Sequence, residues 1–260
     1  MARKVTDQMN RTIRLEGIPR RIVSLVPSQT ELLYDLGLRE EVVGITKFCI
    51  YPEEWFKSKN RVGGTKQVNI EKVKALQPDL IIGNKEENTI EDIAALEKIA
   101  PVWMSDIYTY EDALEMISLL GNVLGKVDAS ANVITEIENE FKALPLLNAK
   151  KVLYFIWKDP DYLAGKSTFI DAMIFKAGFE NLCNDERYPE LKGLKENPDF
   201  IFLSSEPYPF KKEHELEFQQ RFPTSKIVFV DGELFSWYGS RMKRFPNYVC
   251  ELIKGLPCNQ

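Results

Sequence analysis

Aromatic and polar side chains recur together at the ends of apolar runs in this 260-residue chain, and that pairing suggests its chemistry. The segments are 27–30, 48–51, 83–88, 157–161, 204–208 and 236–241. Tyr51, Trp157, Tyr208, Trp237 and Tyr238 offer broad apolar faces, with Tyr51 and Trp237 the foremost candidates. Ser28, Gln29, Glu86 and Glu206 add hydrogen-bonding groups, while Lys85 and Arg241 suit an anionic group or a neighbouring carboxylate. This is equipment for gripping a molecule. Reactive chemistry has less to draw on. The only histidine, His214, sits in the charged stretch 211–217, reads as a surface residue and has no second imidazole to hold a transition metal, so no metal site is expected. A Ser-His-Asp or Cys-His device would need that same histidine, and no G-x-S-x-G elbow occurs. Gly63-Gly64 and Gly165-Lys166-Ser167 lack the context of a nucleotide loop. The doublets Glu53-Glu54 and Glu86-Glu87 read as exposed charge, and carboxylate-based hydrolysis remains the runner-up class because acids are abundant.

A hydrophobic share of 44% supplies a core for one large domain or two lobes. The net charge of −5 argues against nucleic acid as a partner. No run approaches the ~18 apolar residues of a membrane span, so no direct membrane insertion is expected. Residues 1–17 are polar, without the apolar centre of a leader. The chain as written therefore predicts a cytoplasmic protein, and removal of a leader would make it periplasmic or cell-surface. Cys49, Cys183, Cys250 and Cys258 lack paired spacing and read as idle thiols, with a Cys183–Cys250 bridge as the alternative in an exported protein.

The elements that must position the gripping residues repeat at an offset of about 120 to 130 residues. Apolar run 20–26 leads through a polar turn into a helix over 31–36, stopped by Gly37; run 150–157 leads likewise into a helix near 169–176, stopped by Gly178. Helix 70–76 then precedes Pro78-Asp79 and a strand, and a second short helix over 192–197 is expected before Pro198-Asp199 and its strand. Runs 100–104 and 226–230 each precede a helix, 110–124 and 242–256. Such alternation predicts parallel sheets of about four strands, hence an α/β fold with two Rossmann-like lobes. Between them, 128–144 carries an apolar stripe of Ala131, Val133, Ile134, Ile137, Phe141 and Leu144, with Asp128 as N-cap and Pro145 as stop. The expected divisions are an N-terminal extension 1–19, a lobe 20–126, a rigid connecting helix 127–147 and a lobe 148–260. Ligands of open parallel sheets bind beyond the strands' carboxyl ends, which places the site in a cleft between lobes.

Ile22-Val23-Ser24-Leu25-Val26-Pro27-Ser28-Gln29-Thr30-Glu31, Tyr51-Pro52, Val62-Gly63-Gly64 with Asn69-Ile70-Glu71, Leu76-Gln77-Pro78-Asp79-Leu80-Ile81-Ile82, Ala164-Gly165-Lys166-Ser167-Thr168-Phe169-Ile170, Asp231-Gly232 and Ser236-Trp237-Tyr238-Gly239-Ser240-Arg241 together resemble the helical-backbone metal receptors. These are the class III periplasmic solute-binding proteins of ABC importers, and within them the sequence looks closest to cobalamin-binding receptors. The resemblance runs from about Arg20 to Leu256. It implies two α/β lobes on one long helix, no catalysis, no prosthetic group, and capture of cobalamin, with haem or a ferric siderophore as alternatives. A monomer handing its chelate to an importer permease is the implied partnership. In the family a glutamate on the helix before each Pro-Asp strand docks to the importer. Glu71 matches the first by its distance from Pro78, whereas Leu191 occupies the second position and Glu190 is a displaced substitute. The altered second position keeps open a cytoplasmic corrinoid handler that docks to no transporter. A corrin is a broad apolar disc with an amide rim, which suits aromatic faces and scattered donors.

Overall fold

Continuous apolar runs become buried parallel strands, and the polar residues at their ends gather along the carboxyl edge of each sheet. The computed structural model describes residues 2–144, 150–193 and 196–255. Two compact units form: unit 1 is Met1–Ile107, Glu111–Glu138 and Tyr238–Arg241, and unit 2 is Tyr108–Tyr110, Asn139–Trp237 and Met242–Gln260.

In unit 1, five parallel strands lie in the order Asn60–Arg61, Val42–Ile45, Ile22–Ser24, Leu80–Asn84, Val102–Ser105. The chain starts at the centre, runs outward on one side and returns to the other. Strand order thus reverses between Ile22–Ser24 and Leu80–Asn84, the kind of crevice where open sheets take ligands. Every residue of both strands is buried, because helices cover both faces of a parallel sheet. Val23, Ile81, Val102 and Met104 pack with Val73, Ile93 and Leu96 as one core. Ahead of this sheet, Arg3–Thr6 and Thr12–Leu15 form an antiparallel hairpin whose turn residue Asp7 accepts from the amides of Arg11 (2.8 Å) and Met104 (3.2 Å).

The helix expected over 31–36 spans Pro27–Asp35. Pro27 has the φ of a first helical turn and needs no N–H partner there, so the segment read as a polar turn is the helix start. Ser28 and Gln29 are consequently buried. The helix ends before Gly37, whose φ of +80° supplies the left-handed exit.

Unit 2 repeats the plan around Lys150–Trp157. That strand pairs in parallel with Phe200–Ser204, which pairs with Lys226–Val230; on its other side lie Phe179–Asn181, parallel, and Tyr162–Leu163, antiparallel. Each sheet therefore has five strands rather than four. Alternation along the central strand sends Leu153 and Phe155 to one face, with Ile201, Leu203, Phe210 and Phe218, and Tyr154 to the other, near Phe202 and Phe235. Truncating Phe155, which is fully buried, removes about 3–5 kcal/mol of stability.

The repeated Pro-Asp has one mechanical role in both units. Asp79 accepts from the amides of Arg20 and Arg21, each at 2.8 Å, and its own N–H donates to the Arg21 carbonyl at 2.8 Å. Asp199 accepts from the Lys151 amide at 2.8 Å and donates its N–H to the Lys151 carbonyl at 2.8 Å. Each aspartate clips the start of its own strand to the start of the central one.

Other elements depart from expectation. The long helix spans Val127–Lys142, 16 residues or about 24 Å, and Asp128 lies in its first turn rather than at its cap. The division between units falls within this helix, after Glu138. Pro145 and residues 146–147 lie outside the described residues. No helix precedes Pro198 among the described residues 192, 193, 196 and 197, where Gly193 takes a φ of +134° that a right-handed helix excludes. The last helix begins at Phe245 with Pro246 in its first turn, after the 3₁₀ segment Ser240–Arg244, instead of at Met242; Leu256 and Cys258 lie outside the described residues. Cys183 and Cys250 are free thiols, so the alternative bridge does not form: Cys183 is packed into the sheet core with Leu153 and Leu203.

Candidate functional site

The strand reversal in unit 1 gathers an almost wholly buried polar cluster. Asn84 ends its strand and donates to Ser105 Oγ at 2.9 Å, while its Oδ1 accepts from the amides of Glu86 (2.8 Å) and Glu87 (3.1 Å). Those two bonds fold the chain back after the strand and set Glu86 at the edge, half-buried. Asn88 accepts from the Asn84 amide and donates to the Thr65 carbonyl, both at 2.9 Å. Gln29 also donates to Ser105 Oγ. Ser105 Oγ also stands within hydrogen-bond reach of the Gly83 carbonyl, at 3.3 Å. Tyr238 is buried here, and that burial pushes its phenol well above the ordinary range, with the Ser105 and Ser28 hydroxyls partly offsetting it.

Arg241 and Glu31 pair through two bonds, 2.7 Å from Nε and 3.1 Å from the outer nitrogen, with side chains only 6% and 9% exposed. Above this pair lies the Tyr51 ring, its centroid 4.3 Å from the guanidinium carbon, and Tyr51 itself is 38% exposed. Lys85 is exposed and pairs with Asp106 at 2.6 Å.

In unit 2 the corresponding edge is built around Glu206. Its carboxylate accepts from Trp237 Nε1 at 3.1 Å and Ser236 Oγ at 2.8 Å, and its backbone carbonyl accepts from Ser204 Oγ at 2.6 Å. Asp231 caps the helix Gly232–Ser236 through the Leu234 amide at 3.3 Å, which holds Trp237 at the helix end. Trp157, 42% exposed, meets Tyr208 edge-on with centroids 5.7 Å apart. Tyr208 in turn bonds His214 Nε2 at 3.2 Å, and His214 Nδ1 accepts from the Lys211 amide at 2.9 Å. The histidine expected at the surface is thus half-buried and holds a turn together.

Within unit 1 the structure brings together Ser28, Gln29, Tyr51, Lys85, Glu86, Tyr238 and Arg241 along the carboxyl edge; within unit 2 it brings together Trp157, Glu206, Tyr208 and Trp237. Sequence reasoning included Asn84 and Asn88 only as part of segment 83–88, and passed over Glu31, Ser105 and Asp106. The Asn84–Asn88 pair carries a legible signal, two asparagines flanking a charged turn at a strand end; the others are found only by tertiary contact. Glu71 is exposed in the first turn of Ile70–Ala75, capped by Asn69 through the Lys72 amide at 2.9 Å. Glu190 is exposed on an extended segment bridged to Tyr162. No group of three or more His, Cys, Asp or Glu able to hold a metal occurs among the described residues. No described helix is long and apolar enough to cross a membrane.

The family description of a periplasmic binding protein matches residues 22–226. An uncharacterized ABC transporter substrate-binding lipoprotein of Bacillus subtilis (strain 168) is 29% identical over 213 residues, 76% of this chain and 67% of that protein. A cobalamin-binding protein of Halobacterium salinarum is 27% identical over 208 residues, covering 75% of this chain. The match spans little more than half of that halobacterial relative, 56% of its length. Among solved structures, the periplasmic vitamin B12 binding protein of Vibrio cholerae shares the fold with a TM-score of 0.76 at 18% identity, over 91% of this chain and 97% of that one.

Proposed function

From the membership of this chain in the periplasmic binding protein family, shown by the match over residues 22–226, we propose that it captures a cobalamin or related corrinoid for an ABC importer. The observation that carries the reading is the exposure of Tyr51 and Trp157, each on the carboxyl edge of its own sheet. Large rings at strand ends, backed by hydrogen-bonded side chains, suit a flat apolar ligand with a polar rim. The relative from Halobacterium salinarum, described as cobalamin-binding, supports that choice over haem and ferric siderophores. In this reading Ser28, Gln29, Tyr51, Lys85, Glu86, Trp157, Glu206, Tyr208, Trp237, Tyr238 and Arg241 line or support the ligand surfaces. The protein works outside the cytoplasmic membrane as a monomer, with Glu71 as its main docking acid and Glu190 as a displaced second one.

Binding rather than turnover is the proposed activity. His214, the one imidazole, is held by Tyr208 and Lys211, and the buried carboxylate Glu31 is engaged by Arg241. Neither is arranged to transfer a proton to a substrate.

Isothermal titration with cyanocobalamin, with haem and a ferric hydroxamate as controls, tests the proposal. One-to-one binding of cyanocobalamin alone, at micromolar affinity or tighter, is the expected result. Heat from a control with none from cyanocobalamin sinks the corrinoid assignment.

A further inference from the structure

Three cations on the carboxyl edge of unit 1 are held by an acid or a ring. Arg241 is paired with Glu31 and Lys85 with Asp106, while Lys47 Nζ stands 4.9 Å from the centroid of the Phe48 ring. Glu86 and Glu87 follow Lys85 directly, their amides tied to Asn84. With the turn 64–66, whose Thr65 carbonyl accepts from Asn88, segments 28–31, 47–51, 85–88, 105–106 and 238–241 carry four cations (Lys47, Lys66, Lys85, Arg241) against four carboxylates (Glu31, Glu86, Glu87, Asp106), a balance with no net positive charge.

The same edge carries an apolar platform. Cys49 is wholly buried, its sulfur 3.1 Å from both Thr30 Oγ1 and Thr46 Oγ1. Pinning that one side chain inward leaves its neighbours Phe48, Ile50 and Tyr51 exposed by 50%, 40% and 38%. Beneath Tyr51 lies a neutralised ion pair rather than a bare guanidinium.

We infer that the unit 1 edge receives a ligand face with no net negative charge, that Phe48 and Ile50 join Tyr51 in touching it, and that Glu31 and Asp106 set this preference. The inference rests on the receptor reading above and names the ligand class more narrowly. An anionic chelate brought here sheds water against an edge with no net positive charge to receive it, whereas an uncharged macrocycle gains from covering the three apolar side chains. Removing either acid leaves a cation unbalanced and tilts the edge toward anions.

The test titrates the intact protein with cyanocobalamin and with a trianionic ferric tris-catecholate, each at low and high NaCl. Expected are tighter binding of cyanocobalamin by at least about tenfold and an affinity for it that salt changes by less than about twofold. Asp106→Asn should shift the preference toward the catecholate by roughly three- to tenfold at low salt. Glu31→Gln should act in the same direction, and the exposed Lys85–Asp106 pair keeps the test valid if the buried variant folds poorly. Tighter binding of the catecholate by the unmodified protein, weakened by salt, overturns the inference and leaves the receptor reading standing. An unshifted preference in both variants also overturns it. Binding of neither probe nor haem overturns the receptor reading together with the inference.

Discussion

Arg241 meets Glu31 across 210 positions of sequence, and the two close a buried bidentate ion pair in unit 1. Breaking such a pair from one side leaves the other charge without water or partner. Glu31→Ala should therefore destabilise the protein by about 3–5 kcal/mol in urea unfolding. Replacing both residues by methionine should cost much less. Equal losses in the single and the double variant would show that packing, not charge, holds this contact.

The Pro-Asp clips predict a matched pair of effects. Asp79→Ala and Asp199→Ala each abolish the acceptor of at least one strand-start amide and should lower stability by about 1–3 kcal/mol. Asp79→Ala should be the worse, since two amides lose their acceptor. A smaller loss for Asp79→Ala than for Asp199→Ala in denaturant unfolding would contradict the clip.

Trp237 is held by Glu206 through its indole N–H at 3.1 Å. Under the proposed function, Trp237→Ala should weaken cyanocobalamin binding by about 1–3 kcal/mol, with the melting temperature little changed. Trp237→Phe, which keeps a ring and loses the N–H, should fall between. Titration calorimetry on both variants is the measurement, and unchanged affinity removes Trp237 from the site.

Alkaline pH should unfold the protein through its buried phenols. Burial raises the pKa of Tyr154, Tyr238 and Tyr248 above that of a free tyrosine. A folded-state pKa above the unfolded value leaves stability intact below about pH 10, then removes it as pH climbs further, because only the unfolded chain releases these protons. Unfolding monitored by tryptophan emission should coincide with the late rise of tyrosinate absorbance. Tyr154→Phe should flatten that pH dependence, with a loss of about 1 kcal/mol at neutral pH from the missing bond to Ser204. Ionisation of all tyrosines near pH 10 in a still-folded protein would contradict the argument.

Glu71 stands exposed in the first turn of a helix capped by Asn69. Glu71→Ala should leave cyanocobalamin affinity unchanged and reduce stimulation of the cognate importer's ATPase in proteoliposomes. Loss of ligand affinity in this variant would contradict the docking role.

The parallel strands were legible because a sheet covered on both faces demands unbroken apolar runs such as Leu80-Ile81-Ile82. The helix start at Pro27 was misplaced because Ser28-Gln29-Thr30 reads as a turn by polarity alone, although a proline in a first turn is itself a helix signal. The helix expected over 192–197 followed from analogy with Ile70–Ala75, and Gly193 was the local residue arguing against it. Tyr51 and Trp157 were visible as candidates by type and position. The ion pair beneath Tyr51 was not: Glu31 follows the polar run Ser28-Gln29-Thr30, and nothing local marks it as the partner of Arg241. Charge pairing between segments so far apart leaves no spacing to read.

Unit 1 cannot be completed from a contiguous stretch of chain. Its last contribution, Tyr238–Arg241, is made after Asn139–Trp237 of unit 2 has been synthesised. During translation the Arg241 partner of Glu31 is therefore added late, and the platform under Tyr51 waits for it. A chain ending before Tyr238 has the whole unit 1 sheet and most of its carboxyl edge, and lacks Tyr238 and Arg241. Truncation before Tyr238 therefore removes the partner of Glu31 and the cation beneath Tyr51 together.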